Sequence, residues 1–208
     1  MFGIHDFGLF LLTGILLNLT PGPDTLYIVG RSVAQGRAAG VASVFGISTG
    51  SMVHTLAAAF GLSALLAASA SAFLLIKIAG AAYLAYLGAR MLLSRGGPAT
   101  TPASDASSGF WPAYRQGLLT NILNPKVALF FLALMPQFIA PESIAKTAAF
   151  ITLGLCFITT GTLWCLGLAW FASSLGESFR RTTRIEKLLN HTVGALFVFL
   201  GVRLATSK

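Results

Sequence analysis

Two charged side chains stand in stretches of sequence that are otherwise almost wholly apolar. Asp24 lies in LLNLTPGPDTLYIV (residues 16–29) and Lys126 in NILNPKVALFF (residues 121–131). Both follow a proline: Pro21, Gly22 and Pro23 precede the acid, and Asn124 and Pro125 precede the base. Proline has no N–H to give and disfavours helical geometry in the residue before it. At the first break the carbonyls of Leu17 and Leu19 therefore lose their helical partners, and a new half-helix starts at or near Pro23. Asp24 falls in the first turn of that half-helix, where the dipole favours an anion. Lys126 falls at the corresponding place after Pro125, where the dipole opposes a cation, and so calls for an anion nearby. Asp24 is one candidate and a substrate carboxylate is the other.

These groups could form a site for a zwitterion. Asp24 would accept an ammonium, while Lys126 and the N–H groups at the two breaks would hold a carboxylate. Asn18, Asn121 and Asn124 lie near the same breaks and would either bond a substrate or satisfy freed backbone groups, the second role being favoured. His54 lies on a helix stripe of small residues (Gly46, Gly50, Ala57, Gly61) and would act as a proton relay or, more simply, as a hydrogen-bonded part of the scaffold. A structural Asp24–Lys126 ion pair is the plainest alternative, because buried charges are normally paired.

The elements that must position these residues are membrane-spanning helices. Of 208 residues 55% are hydrophobic and 10% charged, with a mean hydropathy of +0.79; a soluble domain carries about 25% charged residues. Six apolar blocks approach or exceed the length of about 20 residues needed to cross a bilayer: Phe7–Val29, Gly40–Ala67, Ala72–Leu93, Gly117–Ala140, Thr147–Ala172 and Leu188–Leu204. The first has no basic residue before it and no small-residue cleavage site after it, so it reads as a retained span and not a signal peptide. Carbonyls and N–H groups exposed at this depth need protein or a watery cavity to cover them, so both breaks should face inward.

A net charge of +8 could suggest nucleic acid, but the basic residues follow membrane topology. Arg31 and Arg37, then Arg90, Arg95 and Arg115, then Arg180, Arg181, Arg184 and Lys187 flank the first, third and fifth connections. The second connection has none and the fourth only Lys146. The positive-inside rule puts those three connections in the cytoplasm and both termini outside. The connection SRGGPATTPASDASSGFWPAYR (residues 94–115) reads as a flexible linker. It divides one transmembrane domain into two sets of three helices, about 5–93 and 116–208, which an odd helix number forces into opposite orientations. The expected fold is therefore an all-α membrane protein of six transmembrane helices in two inverted three-helix repeats, with helices 1 and 4 broken. Sliding the chain by 102 residues aligns Pro23 with Pro125 and Asp24 with Lys126, so the interrupted helices correspond.

The two cysteines, Cys156 and Cys165, are nine residues apart in the fifth block. On a helix they would face opposite ways, roughly 13 Å apart along the axis, and could not bridge. That counts against a membrane thiol–disulfide carrier. One intramembrane acid is too few for a metal-cation exporter, the other alternative. Neither a phosphate loop nor a metal or nucleophile cluster suggests an enzyme or a cofactor.

The residues that carry the breaks also carry a resemblance. LTPGPDTLYIV (19–29), GAAYLAYLGARML (80–92) and GLLTNILNPKVALFFLALMPQF (117–138) are together similar to the lysine-exporter (LysE/RhtB-type) family of bacterial amino-acid efflux proteins, over essentially the whole chain. The resemblance implies a multi-pass inner-membrane exporter of amino acids or their derivatives, of the homoserine, threonine, lysine, leucine or cysteine kind, driven by protons. It carries Pro21, Gly22, Pro23, Asp24, Asn124, Pro125 and Lys126 to functional positions. The expected partners are the amino-acid substrate, protons and the lipid bilayer, with room for a homo-oligomer and no role for nucleic acid.

Overall fold

The computed structural model describes residues 2–62 and 109–175, with isolated positions between 64 and 93 and between 191 and 202. The third and sixth apolar blocks, most of the linker and the basic residues Arg90, Arg95, Arg180, Arg181, Arg184 and Lys187 lie outside the described residues. Those described form an all-α membrane protein. Six helices follow in order: α1 (Phe7–Leu19), α2 (Pro23–Gln35), α3 (Arg37–Leu56), α4 (Phe110–Ile122), α5 (Pro125–Leu129) and α6 (Lys146–Leu175). No strand occurs among them, only an isolated bridge between Ile4 and Ile139.

The breaks fall where the prolines put them. α1 ends at Leu19, and Thr20 closes it, its N–H bonded to the carbonyls of Leu16 and Leu17. Gly22 is extended, and Pro23 opens α2 at its first position with Asp24 in the first turn. In the second half α4 ends at Ile122, Asn124 caps the next helix by accepting the backbone N–H of Lys126 at 3.0 Å, and Pro125 opens α5. The chain bends by 47° between Phe110–Ile122 and Pro125–Phe138. Taken together that bent pair is long and apolar enough for one span; Arg37–Leu62 and Lys146–Ser174 are each long and apolar enough to cross a membrane unbroken.

Two boundaries differ from expectation. The first connection shrinks to Gly36, whose φ of +82° ends α2 and whose carbonyl starts α3; a residue with a Cβ is strained in that conformation. The helix of the second half begins at Phe110, so residues 110–115 of the expected linker are helical.

Two departures from α geometry extend the broken and unbroken spans. α3 continues as a π-helical segment, Ala57–Leu62, and α5 as another, Phe130–Leu134, before a 3-10 turn, Met135–Phe138. α3 and α4 pack backbone to backbone: a Cβ on Gly46 would collide with the Tyr114 carbonyl, and one on Gly117 would lie 2.7 Å from that of Ser43. Small residues at such contacts let helices approach where lipid supplies no hydrophobic drive. The core proper is aromatic. Phe10, Phe130, Phe131, Phe138 and Phe157 are all buried, with Phe130 stacked on Phe157 at 4.4 Å and Phe10 edge-on to Phe138 at 5.4 Å.

Candidate functional site

Both breaks open on one cavity of about 40 Å³, walled by Asp24 and Thr25 of α2, Ser48 and Ser51 of α3, Asn121 of α4, Lys126 of α5, and Thr162 and Cys165 of α6, with Leu17 and Phe157 among its apolar lining. That is space for roughly three waters. Asp24 makes one hydrogen bond here: its Oδ2 accepts Asn121 Nδ2–H at 2.7 Å. Its other oxygen, Oδ1, is buried without a hydrogen-bond partner. An ionised carboxyl only accepts, so this oxygen has acceptor capacity to spare, with the Asn124 side-chain amide a further donor near the carboxyl.

Lys126 lines the same cavity but does not pair with Asp24. Its ammonium donates to the carbonyls of Leu17, at 3.1 Å, and Thr20, at 2.9 Å. Those are carbonyls at the C-terminal end of α1 and its cap, where the prolines that follow supply no N–H. The base that opposes the dipole of its own helix thus sits at the negative end of another, where a cation is favoured. The expected anion is therefore a set of backbone dipoles. Gly22 gives the ammonium room, since a Cβ there would lie 3.2 Å from Nζ.

His54 does the same for the second break. Its Nε2 lies 3.2 Å from the carbonyl of Asn121 in the last turn of α4. A carbonyl only accepts, so Nε2 carries the proton. The ring stacks on Phe131, centroids 5.7 Å apart. Each broken helix is thus capped at its C-terminal end by a nitrogen from the opposite half of the chain.

The asparagines separate in role. Asn121 is the one bonded to Asp24. Asn124 is the N-cap of α5 and, though fully buried, has an unpartnered Nδ2. Asn18 also lines the cavity but ties α1 to α6 through the Phe157 carbonyl at 3.5 Å and the Thr160 hydroxyl at 3.4 Å. Cys156 and Cys165 are both free, and Cys165 alone reaches the cavity.

Several polar residues of the site carry no mark in the sequence. Ser48 and Thr162 join hydroxyls at 2.7 Å across the cavity. Arg31, assigned to topology by its position, is buried with 3% of its surface exposed. It donates from Nε to Tyr27 Oη at 3.1 Å and from a terminal nitrogen to Gln116 Oε1, while Tyr27 Oη donates to the Ala113 carbonyl at 2.9 Å. The spacing of Tyr27 and Arg31, one turn apart on α2, was the available signal.

Residues 15–208 match the LysE type translocators. The chain belongs to that family. Among its LysE-family relatives, an uncharacterised membrane protein of Pseudomonas aeruginosa is 34% identical, covering 99% of this chain and 97% of its own. A homoserine/homoserine lactone efflux protein of Salmonella typhimurium is 32% identical over 96% of this chain and 95% of its own. An uncharacterised membrane protein of Vibrio cholerae is 33% identical over 99% and 98%. No solved structure matches this LysE-type chain.

Proposed function

We propose that the protein exports small amino acids or their derivatives across the bacterial inner membrane, exchanging them for protons, with Asp24 as the group that alternately holds the substrate ammonium and a proton. The observation that carries this is Asp24 in the wall of a cavity between two broken helices, with one carboxyl oxygen, Oδ1, buried and without a hydrogen-bond partner. An intramembrane carboxylate is costly and functional by default, and corresponding helix breaks are where transporters bind. The substrate carboxylate goes to Lys126, which has three N–H donors and uses two on α1. Homoserine is the first substrate to test, because a relative of matching length bears that name.

The cavity is too small for an amino acid, so the described arrangement is a closed one and loading requires the helices to part. Two seals flank it. On one side, toward the C-terminal end of α2, lies the Tyr27–Arg31–Gln116 network. On the other is the aromatic layer of Phe130, Phe131 and Phe157. The exposed Arg37 and Arg115 beside this end support a cytoplasmic position for the first seal, with both termini outside and the two halves as inverted repeats.

The test is efflux of L-homoserine from preloaded cells and from proteoliposomes under an imposed proton gradient. Wild-type protein should drive efflux that collapses with the gradient, and Asp24→Asn should be inactive at normal membrane levels. Undiminished efflux by Asp24→Asn would overturn the assignment.

A further inference from the structure

We infer that Gly50 and Ser51 of α3 are positioning residues for Asp24: they hold the Asn121 side chain in the one orientation that bonds a single carboxylate oxygen and leaves the other without a hydrogen bond. This rests on the reading of Asp24 above and extends it to two residues that make no hydrogen bond to the acid themselves.

The geometry is a relay of contacts across three helices. Ser51 Oγ donates to Asn121 Oδ1 at 3.3 Å, and Asn121 Nδ2 donates to Asp24 Oδ2 at 2.7 Å. A carboxylate accepts and cannot donate, so the amide must turn its NH₂ toward Asp24 and its oxygen away. The Ser51 hydroxyl gives that oxygen a donor, and so favours this orientation over the flipped one. Ser51 and Asn121 are both buried, at 5% and 1% exposure. Gly50 supplies the space. A Cβ there would stand 2.7 Å from Asn121 Oδ1, 2.8 Å from its Cβ and 3.0 Å from its Cγ. The collision involves the root of the side chain, which cannot swing aside, so Gly50→Ala displaces Asn121 bodily. His54, on the next turn of the same helix face, holds the Asn121 carbonyl. Three consecutive features of α3 therefore grip one residue of α4, which in turn orients the acid on α2. The other titratable groups facing this acid are Lys126 of α5, His54 of α3 and Cys165 of α6, and the hydrogen bonds of the Asn121 side chain go to Ser51 and Asp24.

Dicyclohexylcarbodiimide, which enters membranes and reacts with protonated carboxyl groups, reads the Asn121–Asp24 bond directly, because an amide donor holds Asp24 in its unreactive, ionised form. In purified protein in liposomes, mass spectrometry should show Asp24 modified roughly tenfold faster in Asn121→Ala than in wild type, the effect of losing a hydrogen bond to a charged group. Gly50→Ala and Ser51→Ala should each accelerate modification about threefold or more, and Ser51→Thr, which keeps the hydroxyl, should return to the wild-type rate. In an Asn121→Ala background neither Gly50→Ala nor Ser51→Ala should add anything, since both act through that amide. Wild-type rates in Gly50→Ala and Ser51→Ala, or accelerations that persist without Asn121, would overturn the inference. Efflux by Asp24→Asn tests the transport reading separately. An inactive Asp24→Asn with an unresponsive Ser51→Ala removes only the inference, whereas an active Asp24→Asn removes the reading of Asp24 while the labelling result stands.

Discussion

The ammonium of Lys126 lies 2.9 Å from the carbonyl oxygen of Thr20, so a base in the second half of the chain completes a helix in the first. A second bond to Leu17, at 3.1 Å, makes this a two-point cap. The arrangement turns an electrostatic liability into a contact between halves. A lysine in the first turn of α5 is repelled by its own helix and held by the end of α1.

Lys126→Met should therefore lower stability as well as transport. The Thr20 carbonyl loses its donor in a buried setting, which costs about 1–3 kcal/mol. The thermal unfolding midpoint of the solubilised protein should fall for Lys126→Met and stay level or rise for Asp24→Asn, which removes a buried charge. A midpoint for Lys126→Met at or above wild type would show that the cap contributes nothing.

Gly22→Ala probes the same cap from the other side. The added methyl would meet Nζ at 3.2 Å, which a small shift of the lysine end relieves. The loss should be under about 1 kcal/mol, with a smaller fall in unfolding midpoint than for Lys126→Met. A larger fall would mean that Gly22 matters for its backbone and not for the space it leaves.

His54 serves α4 as Lys126 serves α1, and a glutamine can give the same N–H. His54→Gln should retain efflux within about twofold of wild type across pH, and His54→Ala should lose about 1 kcal/mol of stability, since the Asn121 carbonyl keeps the N–H of Asn124. Loss of efflux in a stable His54→Gln protein would instead make the ring a proton carrier.

Arg31 and Cys165 make the closed end measurable. In a Cys156→Ser background, Arg31→Ala removes the guanidinium that joins Tyr27 to Gln116. Labelling of Cys165 by a water-soluble methanethiosulfonate should then quicken roughly tenfold, the shift expected for about 1.4 kcal/mol of lost closed-state contact. Unchanged labelling would remove this network as a seal.

The positions of the breaks were legible because proline acts locally: Pro23 opens α2 and Pro125 opens α5, as their chemistry requires. Asp24 was legible as an intramembrane acid. The partner of Lys126 was legible only in part: Pro21 marks the Leu17 carbonyl as one that loses its helical partner, but nothing marks that of Thr20 or shows that a distant lysine reaches both. Arg31 misled for a related reason. Its place at the end of an apolar block fits a topology charge, and only the packing of α2 on α4 brings Gln116 to it. The Asn121 relay needed three helices to be in place before any of its members differed from an ordinary buried polar residue. The match to the LysE type translocators spans residues 15–208, both breaks included.

The cap on α1 also has a consequence for synthesis. Thr20 and Lys126 are 106 residues apart, so the first helix break leaves the ribosome long before the side chain that closes it. Until then its open carbonyls need water or the insertion machinery for company, and the first half cannot settle fully into lipid alone. Each half of the chain thus acts as an assembly factor for the other: severed and expressed separately, they should reach the membrane stably only when made together.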